Sequence, residues 1–266
     1  MPEPLTTEPG FRGRFVALRR AQKRRRGVPL YTLYVNRPAG RVIAAASPAS
    51  VTPDHLTLLG AALTYGSLVA LLFWAEPGPA AVLVGVALVL GFFLDSADGQ
   101  LARLRGTGSL RGEWLDHVLD SGRIVLLHLA TLWFITRNAL LPATAGAALC
   151  SAFAVSAILI FFGGILFDKL VAEDPATSPA PATSGPPATS AGPATTLRSV
   201  LMLPLDYGFT CLIFLLLPFP RVFVVAYVLL AAAKVLACGA FLAKWFRALG
   251  ALDQRRLSAR RADHAR

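Results

Sequence analysis

The stretch AAVLVGVALVLGFFLDSADGQLAR, residues 80–103, decides the fold. Ala80–Leu94 carries no charge, and two aspartates, Asp95 and Asp98, follow within four residues. One continuous helix over this stretch is about 36 Å long at 1.5 Å per residue, enough to cross a hydrocarbon core of about 30 Å. Comparable apolar runs lie on both sides of it. They are Leu56–Ala75, Glu113–Thr136, Ala139–Leu166, Ser199–Leu217 and Arg221–Phe246. Their lengths predict an all-α, polytopic membrane protein with six transmembrane helices. Val28–Ala46 is interrupted by Arg37 and Arg41 and is too short to span. It reads as an N-terminal interfacial helix.

Composition agrees with this reading. Of 266 residues, 55% are hydrophobic and 15% charged, well below the roughly 25% charge of soluble domains. Lys and Arg number 26 against 15 Asp and Glu, a net charge of +11. In a chain this apolar, the excess marks membrane edges rather than a nucleic-acid surface. With the six spans laid out as above, 22 of the basic residues fall on one side and two on the other. The positive-inside rule then places both termini in the cytoplasm of a multi-pass protein of the cell membrane. The three cysteines, Cys150, Cys211 and Cys238, lie in apolar runs without metal-ligand spacing.

Three regions follow. Residues 1–27 form a basic cytoplasmic tail, with eight Lys or Arg between Arg12 and Arg26 facing anionic membrane lipids. Residues 28–250 form the membrane domain, and residues 251–266 a second basic tail. Inside the membrane domain, residues 172–196 consist almost wholly of Pro, Ala, Thr, Ser and Gly. Such a stretch cannot bury a core and is expected to be a disordered loop.

The acids are sparse except in one place. Asp95, Asp98, Glu113, Asp116 and Asp120 gather at the facing ends of the second and third spans. Asp95 and Asp98 are spaced i, i+3, and Asp116 and Asp120 i, i+4, so each pair projects from one helix face. The short connection makes the two helices antiparallel neighbours, and four carboxylates converge. Uncompensated, they are costly at membrane depth. Hard cations with oxygen ligands resolve the cost, and Mg²⁺ or Mn²⁺ fit best. A paired-metal site of this kind serves phosphoryl chemistry. Salt bridges from the acids to Arg103, Arg105 and Arg111 are the bland alternative. An ion-coupled transporter is the reading from a different class, but it calls for polar residues spread over several spans.

Asp95-Ser-Ala-Asp98-Gly99-Gln-Leu-Ala102-Arg103, then eight residues, then Gly112-Glu-Trp-Leu-Asp116-His-Val-Leu-Asp120 resembles the signature of the CDP-alcohol phosphotransferase (CDP-alcohol phosphatidyltransferase) family. Four Asp, two Gly, one Ala and one Arg stand at the signature spacing. The Pro-Asn that opens the first span in that family is Pro53-Asp54 here. The resemblance implies transfer of a substituted phosphate from a CDP-linked alcohol donor to a lipid or polyol acceptor hydroxyl, with release of CMP, in phospholipid biosynthesis. A CDP-aminoalcohol or CDP-inositol donor stays open. It also implies two Mg²⁺ or Mn²⁺ ions on Asp95, Asp98, Asp116 and Asp120, and a homodimer. Asp95, Gly99, Ala102, Arg103 and Gly112 would bind the nucleotide.

Two assignments of the general base stand side by side. Asp120 is one. The other is Glu113 with His117, spaced i, i+4, in a string similar to one in choline and ethanolamine phosphotransferases, where a carboxylate orients an imidazole. For the acceptor, the candidates are Arg123, Arg198, Asp206 and Lys234, since buried cations in a membrane need anionic partners. His128 reads as a packing residue.

Overall fold

The computed structural model describes residues 10–21, 28–74, 76–174 and 202–264, with side chains to residue 258. Arg198 and most of the 172–196 stretch lie outside the described residues. Among the described residues every regular element is helical. Helix α1 is Phe11–Arg20, and a π-helical turn, Thr32–Asn36, runs into α2, Arg37–Ala46. Helix α3 is Pro53–Phe73, α4 Val82–Arg105, α5 Leu110–Arg137 and α6 Ala143–Ala172. Helix α7, Tyr207–Ile213, continues as the 3₁₀ turn Phe214–Leu216, and α8 is Pro220–His264.

Five helices are long and apolar enough to cross a membrane: α3, α4 with its preceding turn, α5, α6 and α8. The expected fifth span is represented by a shorter apolar helix, Tyr207–Leu216. At 45 residues, α8 is about 68 Å long, so its last turns reach beyond any bilayer core. There Arg256 Nε pairs with the buried Asp174 just past α6, 3.2 Å away. The α1 helix lies within the expected basic tail, with Leu18 buried against Ala44 and Ala45.

Local chemistry sets the helix ends that matter. Thr52 and Pro53 start α3: the Thr52 hydroxyl accepts from His55 N–H, and the His55 ring accepts from Thr52 N–H, closing a capping box. Gly106 ends α4 with φ 66, a left-handed conformation that glycine adopts without strain. Thr107 N–H then reaches back to the Ala102 carbonyl at 3.0 Å, the Schellman closure. Three residues after Gly106, Ser109 caps α5, accepting from Gly112 N–H at 3.0 Å. This tight reversal makes α4 and α5 antiparallel and sets the two halves of the acidic motif side by side.

The main core is aromatic and aliphatic, with Leu68, Leu88, Leu127, Phe134, Phe153, Phe214, Phe223 and Tyr227 buried. His128 belongs to it, 2.6 Å from Tyr227 Oη and tilted over Phe153. Helix α3 packs closely on α4, where a Cβ on Gly60 would lie 2.9 Å from the Gly91 carbonyl oxygen, the close approach that small residues permit in membranes. A second, smaller core under the acidic end joins Leu18, Ala44, Leu56, Ala97 and Leu101 from α1, α2, α3 and α4. Arg14 and Arg105 tie down the α2–α3 connection by donating to the Ser47 and Pro48 carbonyls at 2.9 and 2.7 Å. The positive-inside pattern therefore also contains structural arginines.

Candidate active site

The acidic end is assembled from α3, α4 and α5. Asp95 and Asp98 leave the last turns of α4, and Asp116 the second turn of α5. One carboxylate oxygen from each of these three lies within 4.8 Å of the others. Asp98 is buried and pinned from both sides. The Thr57 hydroxyl donates to Oδ2 at 2.5 Å, and Gly99 N–H donates to Oδ1. Thr57 stands four residues after Pro53 on α3, outside the motif. Only packing of α3 on α4 shows its role, although a hydroxyl one turn into the first span was visible in the sequence.

A small cleft opens beside the acidic centre. Asp98, Gly99, Ala102, Gly112 and Asp116 line it, with Pro53, Asp54 and Thr57 from α3 and Thr107, Gly108 and Ser109 from the reversal. Three of the expected nucleotide residues, Gly99, Ala102 and Gly112, therefore share one wall system with the acids. A Cβ on Gly112 would sit 3.3 Å from Asp54 Oδ1 and narrow the mouth. Arg103 does not line the cleft, but its Nη1 comes within 3.6 Å of where a Gly99 Cβ would be. Asp54 lines the cleft while pairing with Arg111 Nη2 at 2.5 Å.

The fourth aspartate behaves differently. Asp120 is not in the converging group. Its Oδ1 accepts from Arg123 Nη2 at 2.5 Å, and Arg123 Nη1 reaches across to Asp95 Oδ1 at 3.1 Å. Next to it α5 is anchored to α3: the Tyr65 hydroxyl donates to the Leu119 carbonyl at 2.7 Å, in the space left by Gly122. Glu113 is exposed and forms no described ion pair with His117. The His117 Nδ1 faces Asp116 Oδ2 at 3.5 Å instead, and its ring edge meets Phe161.

Three of the acceptor candidates lie near the start of α7, where Arg123 stands over the Tyr207 ring and Lys234 reaches the Leu205 carbonyl on either side of Asp206, and each is already held by protein partners. Asp206 caps α7 and binds the π turn, accepting from Thr32 N–H at 2.9 Å, Thr32 Oγ1 at 2.6 Å and Gly208 N–H at 2.9 Å. Lys234, buried on α8, donates to the Leu205 carbonyl at 2.8 Å. Arg123 belongs to the acidic centre. Arg198 lies outside the described residues.

The converging set offers only carboxylate oxygens, without His or Cys, which fits a hard divalent cation. Three carboxylates this close need positive charge to coexist in a half-buried site. A helical membrane bundle with an oxygen-only acidic centre against a glycine-walled cleft defines the class. The family model for CDP-alcohol phosphatidyltransferase matches residues 50–245, and the chain belongs to that family. Among curated proteins it is 34% identical over 86 residues to an archaetidylinositol phosphate synthase of Pyrococcus horikoshii. That stretch covers 32% of this chain and 43% of the relative, so the chain matches less than half of the relative's length.

Proposed function

We propose that this chain is an integral-membrane phosphotransferase that moves a phosphatidyl or phospho-alcohol group from a CDP-alcohol donor to an acceptor hydroxyl. The observation that carries this reading is the meeting of Asp95, Asp98 and Asp116, the last two of which line the cleft together with Gly99, Ala102 and Gly112. The acceptor oxygen attacks the donor's β-phosphorus and forms a new P–O bond. The bond from that phosphorus to the bridging oxygen breaks, and CMP leaves with its electron pair. The acceptor proton passes to a base.

Asp95, Asp98 and Asp116 would hold Mg²⁺ or Mn²⁺, which when bound supplies charge neutralisation on the pyrophosphate. Thr57 and the Gly99 N–H hold Asp98 in one orientation, the task of outer partners in metal sites. Gly99, Ala102 and Gly112 leave room for the nucleotide, and Arg103 stands beside Gly99 to meet a phosphate. Asp120 takes the acceptor proton, aimed by Arg123. The exposed position of Glu113 favours Asp120 over the Glu113–His117 pair. Arg123, Lys234, Asp206 and Arg198 stay the candidates for acceptor recognition. The first three already have protein partners, so an acceptor has to compete for them.

The name of the Pyrococcus relative favours a lipid product carrying an inositol phosphate. A CDP-aminoalcohol or CDP-inositol donor is the second reading. Purified protein incubated with a panel of CDP donors, acceptors and Mg²⁺ or Mn²⁺ should release CMP and yield one product mass. No CMP from any donor, together with ion-dependent uptake into proteoliposomes, would establish the transporter class instead. The excess of basic residues on one side supports a cytoplasmic active site and cytoplasmic termini in the cell membrane, which thiol labelling of a cysteine introduced at Ser258 in intact cells tests. A homodimer is expected, and a monomeric mass in mild detergent would refute it.

A further inference from the structure

Helix α3 carries no residue of the acidic motif, yet polar side chains along it meet that motif at successive depths. Asp54, Thr57 and Tyr65 are spaced i, i+3 and i+11, and eleven residues make about three turns, so they share one helix face. Asp54 pairs with Arg111 beside Gly112. Thr57 donates to Asp98. Tyr65, the deepest, donates its hydroxyl to the Leu119 carbonyl at 2.7 Å. That carbonyl belongs to the peptide unit joining Leu119 to Asp120, and within α5 it is also the i→i+4 acceptor for the backbone N–H of Arg123. One phenol from α3 therefore grips the turn that carries Asp120. The approach is close because position 122 is glycine. A Cβ there would collide with the Tyr65 hydroxyl.

This bond is not needed to satisfy the backbone. The Leu119 carbonyl keeps its helical partner without it, and phenylalanine would fill the same space. What the hydroxyl adds is location. The reach of the Asp120 carboxylate is set by the backbone beneath it, whatever the carboxylate binds, and a proton passes only across about 2.6–3.2 Å. Arg123, at the far end of the same turn, lies over the Tyr207 and Phe92 rings, 4.5 and 5.6 Å from their centroids, so the turn is held at both ends. We propose that Tyr65 is a positioning residue of the phosphotransfer: with Gly122 as its counterpart, it sets the depth at which Asp120 meets the acceptor hydroxyl. This rests on the proposed activity and on Asp120 taking the acceptor proton.

The test follows CMP release by the full-length protein in detergent, with the CDP donor and acceptor that give the highest wild-type turnover. Tyr65→Phe removes only the hydroxyl and should lower kcat about tenfold, with donor KM and thermal midpoint unchanged. Gly122→Ala pushes the ring away from α5 and should lower kcat about a hundredfold, the cost of a displacement of about 1 Å. Adding Tyr65→Phe to Gly122→Ala should restore kcat to the level of Tyr65→Phe alone, because the Cβ then meets only a ring carbon, 3.2 Å away. Wild-type kcat in Tyr65→Phe, a fall in kcat accompanied by a changed donor KM or a lower thermal midpoint, or a double variant no faster than Gly122→Ala each overturns the proposal. If Gly122→Ala does not fold, Tyr65→Phe decides alone. A wild type that releases no CMP from any donor removes the proposed activity and this role of Tyr65 together, whereas an active wild type matched by Tyr65→Phe removes the role of Tyr65 alone.

Discussion

Two buried polar groups sit at neighbouring places in the bundle, and they differ in what is left over. Around Asp206 the capacities are matched. The carboxylate accepts three hydrogen bonds from Thr32 and Gly208, and Lys234 answers the Leu205 carbonyl close by. At the acidic centre, Asp95, Asp98 and Asp116 bring like charges together beside an open cleft. Protein donors reach some of their oxygens, but Arg123 is the only guanidinium found on the aspartates themselves among the described ion pairs. A satisfied buried polar group holds a fold together. An excess of one charge against an opening is a demand that something else must meet. Both groups were equally visible in the sequence as intramembrane charges, and only the second has chemistry to spare.

The comparison can be broken, starting with the largest expected effect. Asp116→Ala should lower metal-dependent CMP release by roughly a hundredfold or more while leaving the helical content by circular dichroism unchanged. Retained turnover would take Asp116 out of the mechanism. Asp206→Ala should act in the opposite sense. With three donors left unmet, one of them fully buried, it should destabilise the protein by about 3 kcal/mol, read as a lower thermal midpoint in detergent, with Mn²⁺ affinity unaltered. A loss of Mn²⁺ affinity at unchanged stability would merge the two groups into one site. Thr57→Val removes the hydroxyl on Asp98 at constant shape and should weaken Mn²⁺ binding by about tenfold. Titration calorimetry giving the wild-type constant would show that Asp98 needs no such orientation. His117→Ala should have the smallest effect, leaving turnover within a few-fold of wild type, because Glu113 does not orient the imidazole. A fall of roughly a hundredfold would restore the histidine as the base.

Much of the fold was legible because membrane helices are written in long apolar runs. The ends of α3, α4 and α5 were also readable, since Thr52-Pro53, Gly106 and Ser109 are strong start and stop signals. The expected fifth crossing is the exception. Its run passes Leu203-Pro204 and Asp206 before α7 begins, and the helix proper occupies only Tyr207–Ile213 with a 3₁₀ continuation. Proline and a capping aspartate break what composition alone counts as continuous. In the site, the convergence of Asp95, Asp98 and Asp116 was legible from spacing, because i, i+3 and i, i+4 pairs share a helix face whatever the tertiary structure, whereas Gly99, Ala102 and Gly112 were read from the family resemblance. Thr57 was missed, since its partner Asp98 is 41 positions away. Glu113 and His117 share a helix face by spacing, while Glu113 is exposed and the His117 ring lies beside Asp116.

The difference between Asp98 and Asp120 marks where local reading ends. Periodicity and charge placed both on helix faces directed at a common point, and no fold consistent with those helices could separate them far. Which of them lines the cleft beside Thr57 and which is held by a guanidinium depends on neighbours from α3 and α7. Thr57, Tyr207 and Phe92 reach the centre through contacts between helices distant in the chain. A short-range pattern records the spacing of charges along one helix, but the partner of each charge is chosen by packing, because hydrogen bonds and ring contacts act over a few ångströms in space and not along the sequence.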